Sequence, residues 1–254
     1  MHFDYSYRTQ IHPLNIVVPE IVRVLKYALP WRSIVGLPWN TVYQTFQRLQ
    51  RFHVFEQTYK GLLQKYLKKT PAKKLKLRYT DTTLVANKYG SEKVKYNGHK
   101  KRKGTKVSFI TDARGIPISI RIDEGSRNDG IILLDQLDDE DRGHGTLVDR
   151  DLDEKYRGKM LCDSGYDSQK IKQTLLQMGY TPIIAPNKRN TKDKTKRREL
   201  TKKEKVIYKD RIKIEHTNAK VKNHRRIALR YDRGIGSFAN SLFVACIDVV
   251  LKAL

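Results

Sequence analysis

Cysteine is nearly absent. Cys162 and Cys246 are the only two in 254 residues, too few for a disulfide framework, and nothing around them has the spacing of a zinc site. Both lie in apolar, strand-like or helix-like surroundings, so each is expected as a buried free thiol. No apolar run approaches a membrane span, and the N-terminus has no basic-then-apolar secretion signal. An intracellular protein without a membrane partner is expected. Acidic residues are scarce as well: 27 Asp and Glu stand against 52 Lys and Arg, a formal charge of +25. Such an excess calls for a polyanionic partner, because each neutralised phosphate releases condensed counterions. Charge alone leaves a structural RNA-binding protein and a membrane-surface protein open. A hydrophobic content of 39% is low but sufficient for a core, in one large domain with an appendage or in two modest ones.

Residues 1–70 read as mainly helical and as a separate unit. "PEIVRVLKYAL" and "WNTVYQTFQRLQRFHVFEQTYKGLLQKYL" place apolar residues three and four apart around a "PWRSIVGLP" break, with Asn40 a candidate cap. Arg48 and Arg51 on the second helix suit either a helix-turn-helix-like DNA-binding segment or a plain helical appendage. "KKTPAKK" at 68–74 reads as a basic linker. The remainder, 75–254, alternates strand and helix. "LKLRYTDTTLVA" is a strand with Asp81 near its middle, and "TKVSFITDARGIPISIRIDEG" a hairpin about Asp-Ala-Arg-Gly. "NDGIILLDQL" is a short helix, "KMLCDSGYDS" a buried strand ending at Asp163, and "SQKIKQTLLQMGY" an amphipathic helix. "TPIIAP" is a further strand and "FANSLFVACIDVVLKAL" an apolar closing helix. This order predicts a mixed α/β fold. An acidic stretch over 135–154 and a basic run over 188–205 interrupt it. The basic run reads as a DNA contact, a solvated loop or, in a eukaryotic host, a nuclear-import signal.

"YKDRIKIEHTNAKVK", 208–222, reads as a helix with charge in an unusual place. With Tyr208 at zero and an advance of about 100° per residue, Arg211, Glu215 and Lys222 fall at about 300–340°. Ile214 and Val221 lie on one side of this stripe and Ile212 and Ala219 on the other, while Lys209, Lys213, His216, Thr217 and Lys220 share the far face. The stripe is therefore expected to face inward. A buried Glu215 needs a partner, since an uncompensated interior charge costs several kcal/mol. Arg211 and Lys222 are candidates. So is a cation shared with Asp81 and Asp163, three carboxylates forming a hard oxygen cage suited to Mg²⁺. Each has a structural alternative: Asp81 bonded to a neighbouring Thr, Asp163 ending a strand, Glu215 and Arg211 a plain ion pair. Asp167 or Ser168 is the better cap for the helix that follows, and Asp112 is expected to serve the hairpin turn.

These blocks together resemble the DDE transposases of bacterial insertion sequences, in the group with a Tyr-Arg-Glu-Lys helix. Tyr208, Arg211, Glu215 and Lys222 reproduce its gaps of two, three and six residues. "TDTTLV" at 80–85 is similar to the first-aspartate motif, "DSGYDS" to the second, and "TKVSFITDARGIPISIRIDEGSRND" to the block between them. "IIAPNKRN", "RRIALRYDR" and "PWRSIVGLPWNTVYQTFQRL" extend the likeness over most of the chain. The resemblance implies an RNase H-like mixed sheet flanked by helices over 75–254, behind a small N-terminal helical, DNA-binding segment. It also implies two Mg²⁺ (or Mn²⁺) ions on Asp81, Asp163 and Glu215, which act as catalytic and metal ligands. Tyr208, Arg211 and Lys222 would contact DNA. The partners would be double-stranded DNA, as transposon ends and target, and further copies of the chain in a homodimer or larger synaptic assembly. The location would be cytoplasmic and nucleoid-associated, or nuclear in a eukaryotic host. The separation of Asp163 from Glu215, about 50 residues, leaves no room for a large β-rich insertion domain. A domesticated relative that binds DNA without moving it, or an RNase H-like nuclease without strand transfer, stays open beside this reading. Binding to duplex DNA is expected to weaken steeply with salt in a filter-binding or anisotropy titration, and a flat response would count against phosphate contacts.

Overall fold

The computed structural model describes residues 12–138, 157–189 and 199–254. Residues 139–154 of the acidic stretch and 190–198 of the basic run lie outside these. The described elements begin with helices α1 (Leu14–Tyr27), α2 (Trp39–Arg51), α3 (Val54–Lys69) and α4 (Ala72–Leu75). Strands β1 (Leu77–Asn87), β2 (Lys95–Asn97), β3 (Arg102–Thr111) and β4 (Pro117–Glu124) follow. Then come α5 (Asp129–Leu137), β5 (Lys159–Cys162), α6 (Gln169–Gln177) and β6 (Thr181–Ile184). The chain ends with α7 (Lys202–Tyr208), α8 (Ile212–Lys222), α9 (Arg225–Ala228), β7 (Leu229–Arg230) and α10 (Ile235–Leu251).

One mixed sheet holds the strands. β1 pairs antiparallel with β3 through Tyr79–Thr111 to Ala86–Gly104, and β3 pairs antiparallel with β4 on its other edge. On its far side β1 pairs parallel with β5, and β5 parallel with β6. The order β4-β3-β1-β5-β6, three antiparallel strands followed by two parallel, is the RNase H-like arrangement that the resemblance implied. The short β2 extends β3's outer edge, and β7 adds to the end of β1.

Strand alternation sorts the side chains into two layers. Asp81, Thr83, Val107, Phe109 and Ile120 share one face, toward α8 and α10. On the other, Ser108 Oγ donates to Gln136 Oε1 of α5 at 2.7 Å, Gln136 Nε2 donates to Ser119 at 2.9 Å, and Thr82 meets the buried Tyr166 hydroxyl at 3.0 Å. These polar groups inside that layer are satisfied in pairs. Asp112 shapes the β3–β4 turn by accepting the Arg114 and Ile116 amides, both at 2.9 Å, and its other oxygen accepts the Tyr66 hydroxyl at 2.5 Å. Its role is the backbone one expected. Cys162 and Cys246 are both free and buried, as the apolar contexts predicted.

The N-terminal helices share one hydrophobic core with the sheet. Val42, Phe46, Tyr59 and Tyr66 belong to the same cluster as Phe109, Ile120, Phe243 and Val250. Tyr59 stacks near Phe243 with ring centroids 6.1 Å apart, and its hydroxyl donates to the Pro117 carbonyl. Two local expectations need correction. Residues 68–74 are a tight corner between α3 and α4, not a linker: Thr70 is buried, its hydroxyl donating to Tyr66 O at 2.8 Å, and Leu75 is fully buried. Asn40 does not cap α2. The helix begins one residue earlier, with extended Pro38 at the cap position, and Asn40 Oδ1 accepts only from the adjacent Thr41 amide at 2.9 Å.

Two arginines in the interior join these parts. Arg226 forms a 2.8 Å ion pair with Asp232, donates to the carbonyls of Leu29 and Val24 at the end of α1, and stacks its guanidinium over Trp31. Arg230 is wholly buried and donates to the Asp232, Glu92 and Arg233 carbonyls and to Thr105 Oγ1, all within 3.0 Å. A planar five-donor group can be buried this way because every direction it points meets an oxygen. Arg226→Met leaves Asp232 as an unpaired buried carboxylate, and is expected to lower stability by about 3–5 kcal/mol in a urea titration.

Candidate active site

Three elements build the site. Asp81 lies in the middle of β1, half-buried, with strands on both sides. The β1–β5 register pairs Tyr79 with Leu161. Two residues further along each strand, with the same parity, this register sets Asp163 level with Asp81. Asp163 follows the last residue of β5 and caps a 3₁₀ turn, Ser164–Tyr166, its Oδ1 accepting the Gly165 amide at 2.7 Å. The rest of "DSGYDS" fixes this corner. Ser168 caps α6 through the Ile171 amide at 3.2 Å, and Asp167 accepts the Asn187 amide at 2.7 Å while pairing with Lys172. Ser168 is the cap expected, and Asp167 has a different task.

The third element is α8, which runs alongside β1 in the same direction. Asn218 Nδ2 donates to Asp81 Oδ2 at 2.8 Å, and Lys222 Nζ donates to Thr83 Oγ1 at 2.5 Å and to Leu84 O at 3.4 Å. The match is metric: four helical residues rise about 6 Å and two strand residues about 6.6 Å, so positions 218 and 222 stay opposite 81 and 83. Glu215 sits one turn before Asn218 on the same face. Its carboxylate is 55% exposed and accepts from Arg211 Nη2 at 2.8 Å. Arg211, 19% exposed, is packed over the Tyr208 ring. Its charge also reaches Asp81, so it stands between Glu215 and the aspartates.

The stripe is therefore gathered, but differently from the angular expectation. Ile214, Thr217, Asn218 and Val221 form the buried face of α8, with Arg211, Glu215 and Lys222 along its edge. Thr217, expected in solvent, is buried and donates to Gly115 O at 2.6 Å, whereas Ile212 is exposed. The cause is which arc of α8 packs: at about 100° per residue Ile214, Thr217, Asn218 and Val221 fall within one arc about 100° wide, and Ile212 lies opposite it. A 3₁₀ turn over Lys209–Arg211 precedes α8 and advances about 120° per residue, which shifts only Tyr208 relative to that arc. Asn218 is the residue that sequence reasoning missed. Three residues after Glu215, it lay beside the same stripe, and its amide only needed a strand carboxylate to face.

Burial drives the Asp81 carboxyl up to about 6, with the nearby Asp163 charge adding to the rise and Arg211 opposing it. A raised carboxylate pKa means that the folded state holds its proton more tightly. Ionised Asp81 therefore costs about 3 kcal/mol of stability above pH 6, a cost relieved as pH falls toward 4. Asp81 is thus a carboxylate whose charge burial disfavours, level with a second carboxylate at Asp163, and two hard oxygen donors so placed suit a divalent cation. Glu215 is held by Arg211 instead, and among the described residues no group of three or more His, Cys, Asp or Glu side chains is close enough to enclose an ion.

Residues 72–247 match the family model described as the transposase DDE domain. The chain belongs to this family. The match takes in β1, β5 and α8 and with them all three carboxylates. A protein of Burkholderia cepacia named "Putative transposase for insertion sequence element IS402" is 29% identical over 137 residues, 52% of this chain and 56% of that protein. The chain thus spans about half the length of the curated relative it matches. A solved structure titled "Crystal structure of a pre-cleavage Mos1 transpososome" aligns over 90% of this chain and 81% of its own at 10% identity, with a TM-score of 0.27. No helix among the described residues is long and apolar enough to cross a membrane.

Asn218→Leu removes a donor to the ionised form of Asp81 and is expected to raise its pKa above the starting value of about 6, read by ¹³C carboxyl NMR titration. An unchanged titration would show that the bond does not stabilise the carboxylate.

Proposed function

We propose that the protein is an insertion-sequence transposase that cuts the 3′ ends of its element and joins them to target DNA. The observation that carries this reading is the placement of Asp81 and Asp163 side by side on parallel strands, in a chain of the DDE family, with Glu215 on the helix that covers them. Asp81 and Asp163 would hold the ions on one side of the cleft, and Glu215 would join them on leaving Arg211. Bound Mg²⁺ or Mn²⁺ supplies charge neutralisation and activation of a water or a 3′-hydroxyl at the phosphodiester.

The remaining roles follow from where the side chains stand. Arg211, released from Glu215, is placed to bind the scissile phosphate, its guanidinium already oriented by the Tyr208 ring. Lys222, with its pKa lowered by burial and by neighbouring Arg102, holds the position next to Asp81 and meets the adjoining phosphate. Tyr208 is half-buried and presents its ring edge to the same DNA. Positioning and electrostatics carry the reaction, with no covalent protein intermediate. Cutting two ends in concert calls for a homodimer or a larger synaptic assembly. The α2–α3 pair, with Arg48 and Arg51, is the segment proposed to hold flanking duplex.

Asp81→Asn, Asp163→Asn and Glu215→Gln are each expected to abolish Mg²⁺-dependent cleavage, by about 10³-fold or more, while duplex binding stays within a few-fold of wild type. Cleavage by any one of the three at the wild-type rate would remove that residue from the site.

A further inference from the structure

The hairpin formed by β2 and β3 is used by nothing described so far. Residues 93–103, "KVKYNGHKKRK", carry six bases and no acid. All six, Lys93, Lys95, Lys100, Lys101, Arg102 and Lys103, are exposed. A basic run of this kind is often only a solvated loop, which needs no fixed shape. This one has a fixed shape. Asn97 is buried at its turn, donating to Gly125 O at 2.7 Å and accepting the Lys100 amide at 2.8 Å. Lys101 is held in the left-handed region, with φ 50°, so the charges are presented from a defined turn.

The hairpin is also seated closely. A Cβ on Gly125 would lie 2.3 Å from Gly104 O and 2.6 Å from Lys95 O, and one on Gly104 would lie 2.5 Å from Val85 O. Glycine at these two positions lets β2, β3 and the end of β4 meet backbone to backbone. Exposed like charges set close together in a fixed frame attract a polyanion. Their location says which anion. Lys100 and Arg102 stand near enough to Lys222 for their charges to act on it, and Lys222 touches Thr83, two residues from Asp81. The base of the hairpin, at Gly104, pairs with Ala86 of β1, two residues beyond the Leu84 carbonyl that Lys222 reaches, so the basic run starts beside the carboxylate cleft.

We propose that this hairpin grips the phosphate backbone of duplex DNA where it leaves the cleft, through Lys100, Lys101, Arg102 and Lys103. The assignment rests on the reading of the protein as a DNA transposase and adds to it a clamp outside the cutting site. Fixed spacing makes the grip one of position and not of sequence, because phosphates carry no base information.

The test compares three proteins on one oligonucleotide duplex. The first is wild type. The second is Lys100→Gln/Lys101→Asn/Lys103→Gln, where Asn tolerates the left-handed turn. The third is a control of equal charge at exposed lysines given no DNA contact, Lys73→Gln/Lys159→Gln/Lys170→Gln. Each phosphate contact contributes about 0.9 to the slope of log Kd against log salt, so the hairpin variant is expected to lose about 2–3 units of slope. The control should lose less than one. Equal slopes in the two variants, both folded by circular dichroism, would overturn the proposal. Lysine acetylation of the wild type supplies a readout without substitution: Lys100, Lys101 and Lys103 should be protected by duplex, and unchanged labelling would overturn the clamp. A wild type that binds duplex with no salt dependence would sink the transposase reading and the clamp together. Failure confined to the hairpin variant and footprint would leave the cutting site untouched, because Asp81→Asn tests that separately through cleavage.

Discussion

The parallel pairing of β1 with β5 is short, running through Leu77–Lys159, Arg78–Met160 and Tyr79–Leu161, yet the proposed site hangs on it. A shift of one residue would turn Asp163 to the opposite layer, away from Asp81, because side-chain direction alternates at every step. The register is protected from both ends. Met160, Leu161 and Cys162 are fully buried, and Gly158 comes so close to the Lys76 carbonyl that a Cβ there would lie 2.1 Å from it. The carboxylates end up together because the apolar residues before them have only one way to pack.

A second constraint comes from far along the chain. Arg226, paired with Asp232, and Arg230 donate to carbonyls at the end of α1, in the loop after β1 and in their own segment, so the tail closes the molecule over its first helices. Desolvating a guanidinium is expensive, and the expense is tolerable only where geometry supplies acceptors on every side. This explains why α1–α3 do not behave as an appendage in the packing. They contribute acceptors and apolar surface to a core that α10 and the sheet also share.

Much of the frame was legible in the sequence. β1, the β3–β4 hairpin, β5, β6, α5, α6 and α10 each carried a clear period, a turn signal or a long apolar run. Among the elements that escaped were β2, with three residues, β7, with two, and the single-turn helices α4 and α9, all too short for any period. The basic "KKTPAKK" suggested a linker because charge dominates its composition, whereas a buried Thr70 and Leu75 decide its path. The carboxylates were found by motif and spacing, but Asn218 was not, since an amide reads as surface until a strand carboxylate is placed opposite it. The buried arginines escaped for the same reason: carbonyl acceptors are invisible to composition.

The 3₁₀ turn at Lys209–Arg211 means that the four motif residues do not ride on one rod. Tyr208 belongs to the helix before the joint, and Glu215 and Lys222 to the helix after it, with Arg211 at the seam. Spacing between Glu215 and Lys222 is thus fixed by helical rise against β1, while spacing between Tyr208 and Glu215 is fixed by how the seam is wound. The first is a ruler and the second a hinge-like coupling, so the two gaps answer to different physical rules. One residue added to the seam would swing the aromatic ring around the axis without disturbing the carboxylate or the lysine.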